Sequence, residues 1–198
     1  MLYAVNNDSA LIAERMECKE LCRDYNELRP RQEEAREAIL RKILGSSKEG
    51  LLIEQPFYCD YGYNIRVGKN FYANYNLVIL DEATVIFGDN VFIAPNCGFY
   101  TAAHPLEADA RNKGLEYARP IHVGDNVWFG AGVSVLPGVT IGDNCVIGAG
   151  VSVLHGVTIG DNCVIGAGSV VSRDIPSNSV AVGNPCKTIK KISNGRDK

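Results

Sequence analysis

The chain has 198 residues, of which 46% are hydrophobic and 22% are charged, a composition typical of a soluble globular protein. Its net charge is -3, and no basic cluster lies outside the short stretch KTIKKI, so nucleic acid is not an expected partner. No apolar stretch approaches the length that spans a bilayer, and the N-terminus lacks the pattern of a secretion signal. We therefore expect no membrane partner and a cytoplasmic location.

Two helices are predicted first along the chain. Residues 9–28 carry apolar side chains at helical spacing among charged ones, with Asp8 or Ser9 available as the N-cap. A second helix is predicted from Pro30, a residue type suited to a first helical turn, to a stop at Gly45. We assign both helices to an N-terminal helical cap that ends at residue 50.

Short β-runs separated by Gly and Asn turns follow over residues 51–182. Every sixth residue of the well-formed part is apolar: Phe87, Ile93, Phe99, Val123, Phe129, Val135, Ile141, Ile147, Val153, Ile159, Ile165 and Val171. Small residues commonly follow these positions, which leaves room for a chain that turns sharply after each short strand. The pattern predicts a parallel β-helix in which six residues form one flat face and eighteen form one triangular coil.

One eighteen-residue coil is duplicated in tandem. VSVLPGVTIGDNCVIGAG, residues 133–150, is followed directly by VSVLHGVTIGDNCVIGAG, residues 151–168, and the two differ only where Pro137 becomes His155. A compact core would have to repack around such an insertion, whereas a solenoid adds one more unit that touches only its neighbours. The duplication therefore supports the solenoid interpretation.

A long loop at residues 100–122 interrupts the repeat, and long ordered loops on a rigid scaffold often carry function. It contains His104, flanked by a proline, which from its position alone is either a catalytic base or an exposed loop residue. We interpret His122 as structural and His155 as an exposed turn residue. After the repeats, residues 183–198 form a C-terminal tail whose last stretch, SNGRDK, is expected to be disordered.

The chain contains 7 Cys residues without the paired CxxC motifs that are typical of zinc sites, so we expect free thiols and no bound metal. Cys145 and Cys163 occupy the same place in the two copies of the coil and should stack about 4.8 Å apart. This closeness permits a disulfide, but we interpret both as small buried thiols in a reducing compartment.

Several motifs together resemble the maltose and galactoside O-acetyltransferase family of hexapeptide-repeat acyltransferases. They are CDYGYNI (59–65), NFYANYN (70–76), TAAHPL (101–106), GLEYARPI (114–121), the IGDN repeats and the tail VGNPCKTIKKI (182–192). The resemblance covers nearly the full chain. It implies a left-handed parallel β-helix, a homotrimer with active sites at the subunit interfaces, and acetyl transfer from acetyl-CoA to a sugar hydroxyl without a metal.

The resemblance also implies roles for individual residues. His104 matches the general base, which takes the proton of a hydroxyl as its oxygen attacks the thioester. Glu116 matches an acidic loop position that would orient the imidazole and stabilise its protonated form. Asp60, Asn74 and Glu82 match acceptor-binding positions, where carboxylate and amide groups bind sugar hydroxyls directionally.

The positions matched to acetyl-CoA fall on the repeats. Trp128, Gly130 and Ala131 match the pantetheine channel, where a flat apolar wall suits an apolar, amide-bearing arm. Ser172, Arg173 and Lys190 match polar and basic positions near the nucleotide.

Two features depart from the family pattern. No residue clearly matches the acidic sugar-binding residue that the family carries before its first helix, and Asp8 is only a weak candidate. The family also has one copy of the duplicated coil. Counting from Trp128 at the family's spacing reaches Ala149 and His155, whereas the second copy would use Ala167 and Arg173. Because coenzyme A has a fixed length, we favour the first copy.

Two other functions fit the same repeats. A non-catalytic trimeric β-helix would keep the solenoid as a scaffold or binding module, and an assay for acetyl-CoA consumption separates it from the enzyme. A β-helix carbonic anhydrase would need a metal held by three histidines from two subunits. His155 at a turn argues against the carbonic anhydrase, and metal analysis decides.

Overall fold

A computed structural model describes residues 2–3 and 8–192. Helix α1 (Ser9–Glu27) is capped by Asp8, whose Oδ1 accepts the backbone N–H groups of Ala10 at 2.9 Å and Leu11 at 3.3 Å. Helix α2 (Glu33–Ile43) begins later than predicted from Pro30. The reason is a turn in which the Gln32 N–H donates to the Arg29 carbonyl and the Arg29 N–H donates to the Gln32 side chain, both at 2.9 Å.

Three parallel sheets form the sides of a triangular β-solenoid of about seven turns, so the predicted β-helix is confirmed. Sheet one contains β1 (Ser46–Ser47), β4 (Ile65–Val67), β7 (Val85–Phe87), β12 (Ile121–Val123), β15 (Thr140–Ile141) and β18 (Thr158–Ile159). Sheet two contains β2 (Leu52–Ile53), β5 (Tyr72–Ala73), β8 (Phe92–Ile93), β13 (Trp128–Phe129), β16 (Val146–Ile147), β19 (Val164–Ile165), β21 (Ser179–Val182) and β22 (Lys187–Lys191). Sheet three contains β3 (Phe57–Cys59), β6 (Leu77–Leu80), β9 (Gly98–Tyr100), β14 (Ser134–Val135), β17 (Ser152–Val153) and β20 (Val170–Val171).

The solenoid extends past both segment boundaries drawn from the sequence. Strand β1 pairs in parallel with β4, so the stack begins inside the segment assigned to the helical cap, residues 1–50. At the other end β22 pairs antiparallel with β21 and extends sheet two into the tail segment, residues 183–198. The stretch SNGRDK lies outside the described residues.

The interior of the solenoid contains the predicted apolar positions. All twelve of the sixth-residue positions named above, from Phe87 to Val171, are buried. Phe99 packs edge-on against Phe87 and Phe129, with ring centroids 4.9 and 5.2 Å apart. Cys145 and Cys163 are also buried and free, and each thiol donates to a backbone carbonyl rather than pairing with the other.

The IGDN motif forms the corners that join the sheets. Asp143 Oδ1 accepts the backbone N–H of Asp125 in the preceding coil at 2.8 Å, and the Asn126 side chain donates to Asn144 Oδ1 at 3.1 Å. Asn144 has φ of 57°, a left-handed conformation that asparagine tolerates. A Cβ at Gly124 would overlap the Asp143 carboxylate, so the corner needs glycine there. The repeat therefore encodes hydrogen bonds between coils as well as an apolar core.

The predicted loop is a small hairpin with its own structure. Strands β10 (Ala102–Ala103) and β11 (Tyr117–Ala118) pair antiparallel, and the short helix α3 (Ala108–Asn112) lies between them. Tyr3 pairs with the edge of this hairpin beside β11, since its backbone exchanges two hydrogen bonds with Glu116, at 3.0 and 2.9 Å. None of the helices in the described part of the chain combines the length and apolar character needed to cross a membrane.

Candidate active site

Three of the predicted site residues follow successive strands of sheet three. Asp60 comes directly after β3, Glu82 two residues after β6, and His104 four residues after β9. The register pairs β3 with β6 and β6 with β9, and neighbouring strands lie about 4.8 Å apart. The solenoid therefore brings these three residues to one corner of the molecule.

His104 has an exposed imidazole whose two nitrogens face different groups. Its side chain is 54% exposed, and Nδ1 lies 3.4 Å from the carbonyl oxygen of Leu115. A carbonyl can only accept a hydrogen bond, so this contact favours the tautomer with the proton on Nδ1. Nε2 then carries a lone pair and is free to take a proton from a substrate.

Glu116 lies on the reactive side of this imidazole. Its Oε1 is 3.9 Å from Nε2 of His104, too far for a hydrogen bond but close enough to stabilise an imidazolium, and its side chain is only 13% exposed. The backbone carbonyl of Leu115 adds an orienting contact that was not predicted. Sequence reasoning missed Leu115 because the contact uses its backbone carbonyl, a group that every residue type has.

Asp81 is a second residue that the sequence did not single out. It is fully buried, and its Oδ1 accepts the backbone N–H groups of Asp60 at 3.0 Å and Tyr61 at 2.9 Å. Burial raises the pKa of Asp81 to about 6. These two hydrogen bonds fix the backbone that carries Asp60. The sequence feature that could have pointed to Asp81 is the acidic pair Asp81 and Glu82 directly after an apolar strand.

The acidic side chains at this corner are electrostatically coupled. Burial, followed by a hydrogen bond with Asp60, raises the pKa of Glu82 to about 8, so Glu82 holds a proton near neutral pH. Burial, followed by the charges of Glu82 and Glu116, raises the pKa of Tyr3 to about 12. The buried hydroxyl of Tyr3 has no hydrogen-bond partner among the described residues. The corner is thus rich in groups that can bind hydroxyls.

The raised pKa of Glu82 predicts a pH effect on stability. The folded-state value of about 8 lies above the ordinary 4.5, so the folded protein holds a proton that the unfolded chain releases. The stability from this group is complete below about pH 4.5 and is lost as the pH rises toward 8. We expect Glu82→Gln to lose less thermal stability than the wild type over this range. The measurement is the midpoint of thermal unfolding as a function of pH, with the exposed Glu107→Gln as control. Equal slopes in the wild type and Glu82→Gln would refute the raised pKa of Glu82.

The residues assigned to the acetyl donor lie on a different side of the solenoid. Trp128 is on β13 of sheet two and is 54% exposed. It lines a shallow pocket of about 310 Å³ together with Tyr72, Phe92 and Asn74. The structure therefore groups Asn74 with Trp128 on sheet two and not with the other acceptor candidates of sheet three.

Small residues continue along the stack beside Trp128. Gly130 is buried, and a Cβ there would lie 2.5 Å from the backbone nitrogen of Ala149. Ala131, Ala149 and Ala167 are exposed and follow one another in successive coils, since Gly150 donates to the Ala131 carbonyl and Gly168 to the Ala149 carbonyl, both at 2.8 Å. An exposed indole followed by a ladder of small side chains leaves space for an extended apolar arm, so these residues fit the pantetheine of coenzyme A.

The polar candidates for the nucleotide lie further along the stack. His155 and Arg173 are exposed and one coil apart, because β17 pairs with β20, and Ser172 precedes Arg173. Lys190 is exposed on β22, opposite Val180 and four strands from Trp128 in sheet two, or roughly 19 Å. Both copies of the coil stack in one column. The first copy is followed by His155 and the second by Arg173, so a polar or basic residue lies just beyond each copy.

The three histidines of the chain lie on different elements of the fold. His122 is on β12 of sheet one, His155 follows β17 of sheet three, and His104 is in the loop. In residues 2–3 and 8–192, the side chains close enough to share a metal ion are three cysteines, and none of them is a histidine. Within the described part of one chain the histidines thus form no metal-binding group, and metal analysis is the test of a site shared between two subunits.

Comparisons with known proteins agree with this geometry. Residues 1–48 match the family model of the maltose acetyltransferase hexapeptide capping motif, and residues 120–153 and 147–173 match that of the bacterial transferase hexapeptide (six repeats). The galactoside O-acetyltransferase of Escherichia coli is 43% identical over 93% of this chain and 81% of its own.

Two solved structures are similar over nearly the whole fold. A maltose O-acetyltransferase from Clostridium difficile is 49% identical, with a TM-score of 0.76 over 95% of this chain and 91% of its own. A galactoside acetyltransferase in complex with coenzyme A is 40% identical, with a TM-score of 0.80 over 98% of this chain and 87% of its own. The chain therefore belongs to the maltose and galactoside O-acetyltransferase family of hexapeptide-repeat proteins and is an acetyl-CoA-dependent acyltransferase.

Proposed function

We propose that this enzyme transfers the acetyl group of acetyl-CoA to a hydroxyl of a sugar or a similar small polyhydroxylated acceptor, with His104 as general base. The observation that carries the proposal is the contact between His104 Nδ1 and the Leu115 carbonyl, which favours the tautomer that directs the Nε2 lone pair to an exposed acidic corner. A neutral sugar hydroxyl is a weak nucleophile, so the reaction needs such a base.

The residues at the corner have complementary tasks in this reaction. Acetyl-CoA supplies a thioester carbonyl to which a hydroxyl oxygen can add. His104 Nε2 removes the hydroxyl proton, and the Glu116 carboxylate, 3.9 Å from that nitrogen, stabilises the imidazolium that results. The same proton then returns from Nε2 to the leaving sulfur. Because the Leu115 carbonyl remains bonded to Nδ1–H throughout, the ring keeps its orientation during both transfers.

The acidic corner also favours a class of acceptor. The raised pKa of Glu82 lets its carboxyl group donate a hydrogen bond to an acceptor hydroxyl, and the carboxyl oxygens of Asp60 can accept one. Glu82 and Glu116 make the corner acidic, as their contribution to the raised pKa of Tyr3 indicates, and an acidic corner disfavours anions. We therefore propose neutral polyhydroxylated acceptors over sugar phosphates or sugar acids. A panel of neutral and anionic sugars, assayed by release of the coenzyme A thiol, tests this choice.

The two halves of the proposed site require more than one copy of the chain. The base and the acidic corner follow sheet three, whereas Trp128 and Asn74 lie on sheet two. We propose that a neighbouring subunit brings its sheet two to this corner, as in the closed cyclic assembly of a homotrimer. The exposed Phe92 and Trp128 provide apolar surface that such packing would cover.

We expect a homotrimer in solution for this reason. Light scattering coupled to size exclusion should give three times the chain mass of 21.5 kDa at working concentrations. A fully active monomer would contradict the interface site.

The scaffold alternative and the cellular location have their own tests. A non-catalytic scaffold would release no coenzyme A thiol with any acceptor of the panel, whereas the enzyme releases it only when an acceptor is present.

The seven free thiols favour the reducing cytoplasm as the place of the reaction. Fractionation of cells that produce the protein would check that location.

A further inference from the structure

Three cysteines meet where the helical cap packs on the solenoid. Cys18 and Cys22 are one turn apart on α1, so they present their thiols on the same face, and Cys59 ends β3 opposite them. The Sγ atom of Cys59 lies 3.5 Å from that of Cys18 and 3.7 Å from that of Cys22. All three side chains are buried. The sequence did not predict this group because Cys59 is 41 residues from Cys18 along the chain.

The spacing of the three sulfurs suits one small soft cation. Zinc binds thiolates at about 2.3 Å in tetrahedral geometry, which places the sulfurs about 3.8 Å from each other. The three Sγ atoms all lie within 4.8 Å of one another without a metal, so small side-chain rotations would complete the set. A cation held this way would join α1 to β3.

The surroundings of the cluster provide a fourth position and access. A cavity of about 520 Å³ is lined by Cys22 and Cys59 and by the polar side chains of Lys19, Asn26 and Asp60. Water or a carboxylate can reach the sulfurs from this cavity.

The other buried thiols differ from this cluster. Cys97 donates to the carbonyl of Gly130, Cys145 to that of Gly160 and Cys163 to that of Pro176, so each is satisfied by backbone within the solenoid. Cys18, Cys22 and Cys59 mainly contact one another. Simple packing accounts for the first group, whereas three converging sulfurs beside a cavity resemble the donor set of a metal site.

We propose that Cys18, Cys22 and Cys59 form a structural site for a thiophilic divalent cation of the zinc class. The cation would replace thiol protons, which leave to solvent, and would take its fourth ligand from the cavity. It would stabilise the docking of α1 next to Asp60 and take no part in acetyl transfer. The site is independent of the proposed function, so either can fail alone.

A titration of the reduced, chelator-treated protein with Co²⁺ tests the site directly. Binding by thiolates produces a sulfur-to-cobalt charge-transfer absorption, and we expect it to saturate at about one ion per chain and to be displaced by Zn²⁺. We also expect Zn²⁺ to raise the midpoint of thermal unfolding. Absence of the absorption band in the reduced wild type would overturn the proposal without reference to any variant.

Matched variants then assign the ligands. Cys22→Ala should weaken Co²⁺ binding at least tenfold, whereas Cys186→Ala, which removes a buried thiol at the opposite end of the solenoid, should leave it unchanged. Equal binding by both variants would show that the metal sits elsewhere and would overturn the assignment. A disulfide between Cys59 and either helix cysteine, with no metal uptake after reduction, would instead identify the cluster as a redox pair.

Discussion

The variant His104→Ala should lose turnover by roughly 10² to 10⁴-fold, the range for removal of a general base, while its affinity for acetyl-CoA stays nearly unchanged. The fold explains why turnover should fall while the affinity for acetyl-CoA does not. His104 is at the root of the loop beside sheet three, whereas the residues that fit the pantetheine are on sheet two. Steady-state kinetics with an acceptor found by the screen measures kcat, and equilibrium binding measures the affinity.

Two further variants make this result specific. His122→Ala removes an exposed imidazole from β12 of sheet one and should keep wild-type turnover. Glu116→Gln should lower kcat less than His104→Ala does, because the Leu115 carbonyl and not Glu116 holds the imidazole tautomer. Wild-type turnover in His104→Ala would refute the assignment of His104 as general base. A Glu116→Gln loss as large as that of His104→Ala would instead show that the carboxylate fixes the ring.

The solenoid was predictable from the sequence because its contacts repeat at a fixed spacing along the chain. Each sixth residue points inward, and each IGDN motif bonds to its copy one coil away, as Asp143 does with Asp125. A period in the sequence is therefore a period in space. The bounds of the elements were less accurate where the repeat is weak. Strand β1 has no apolar residue to mark it, and β22 pairs antiparallel instead of continuing the parallel coils.

The site was only partly predictable because its contacts do not repeat. The resemblance singled out His104 and Glu116 as candidates, but the contacts of Leu115 and Asp81 arise from a backbone carbonyl and from buried hydrogen bonds. Asn74 was grouped with Asp60 by resemblance, yet the two lie on different sheets of one chain. A pattern in a single sequence cannot show which surface a second subunit completes.

Deleting residues 151–168 should leave a folded, trimeric enzyme. The segment contributes β17, β18 and β19, one strand to each sheet. After deletion β20 would take the place of β17 on β14, and the new junction joins Gly150 to Ser169, which also follows a glycine in the intact chain. Because each coil contacts only its neighbours, the stack closes with the same Val, Ile and Gly faces.

The effect of this deletion on acetyl-CoA binding identifies the copy that holds the nucleotide. We expect the affinity to stay the same or to increase, because we assign the nucleotide to the position reached from the first copy, beside His155, and the deletion places Arg173 there. A guanidinium binds phosphate more strongly than an imidazole at neutral pH. The chain has 1 Trp, so quenching of Trp128 fluorescence can report binding. In the full-length chain, His155→Ala should weaken binding and Arg173→Ala should not.

The opposite outcome has an equally definite structural meaning. If Arg173 already contacts the nucleotide in the intact chain, the deletion moves it by one coil, about 4.8 Å, toward Trp128 and out of reach of its phosphate. Lys190 moves by the same distance, because β22 follows the stack through β21. A folded, trimeric deletion variant with a tenfold or greater loss of affinity, about 1.4 kcal/mol, would therefore assign the nucleotide to the second copy. The donor cleft would then run one coil further along the solenoid than the first-copy arrangement requires, with Ala167 in place of Ala149 beside the pantetheine.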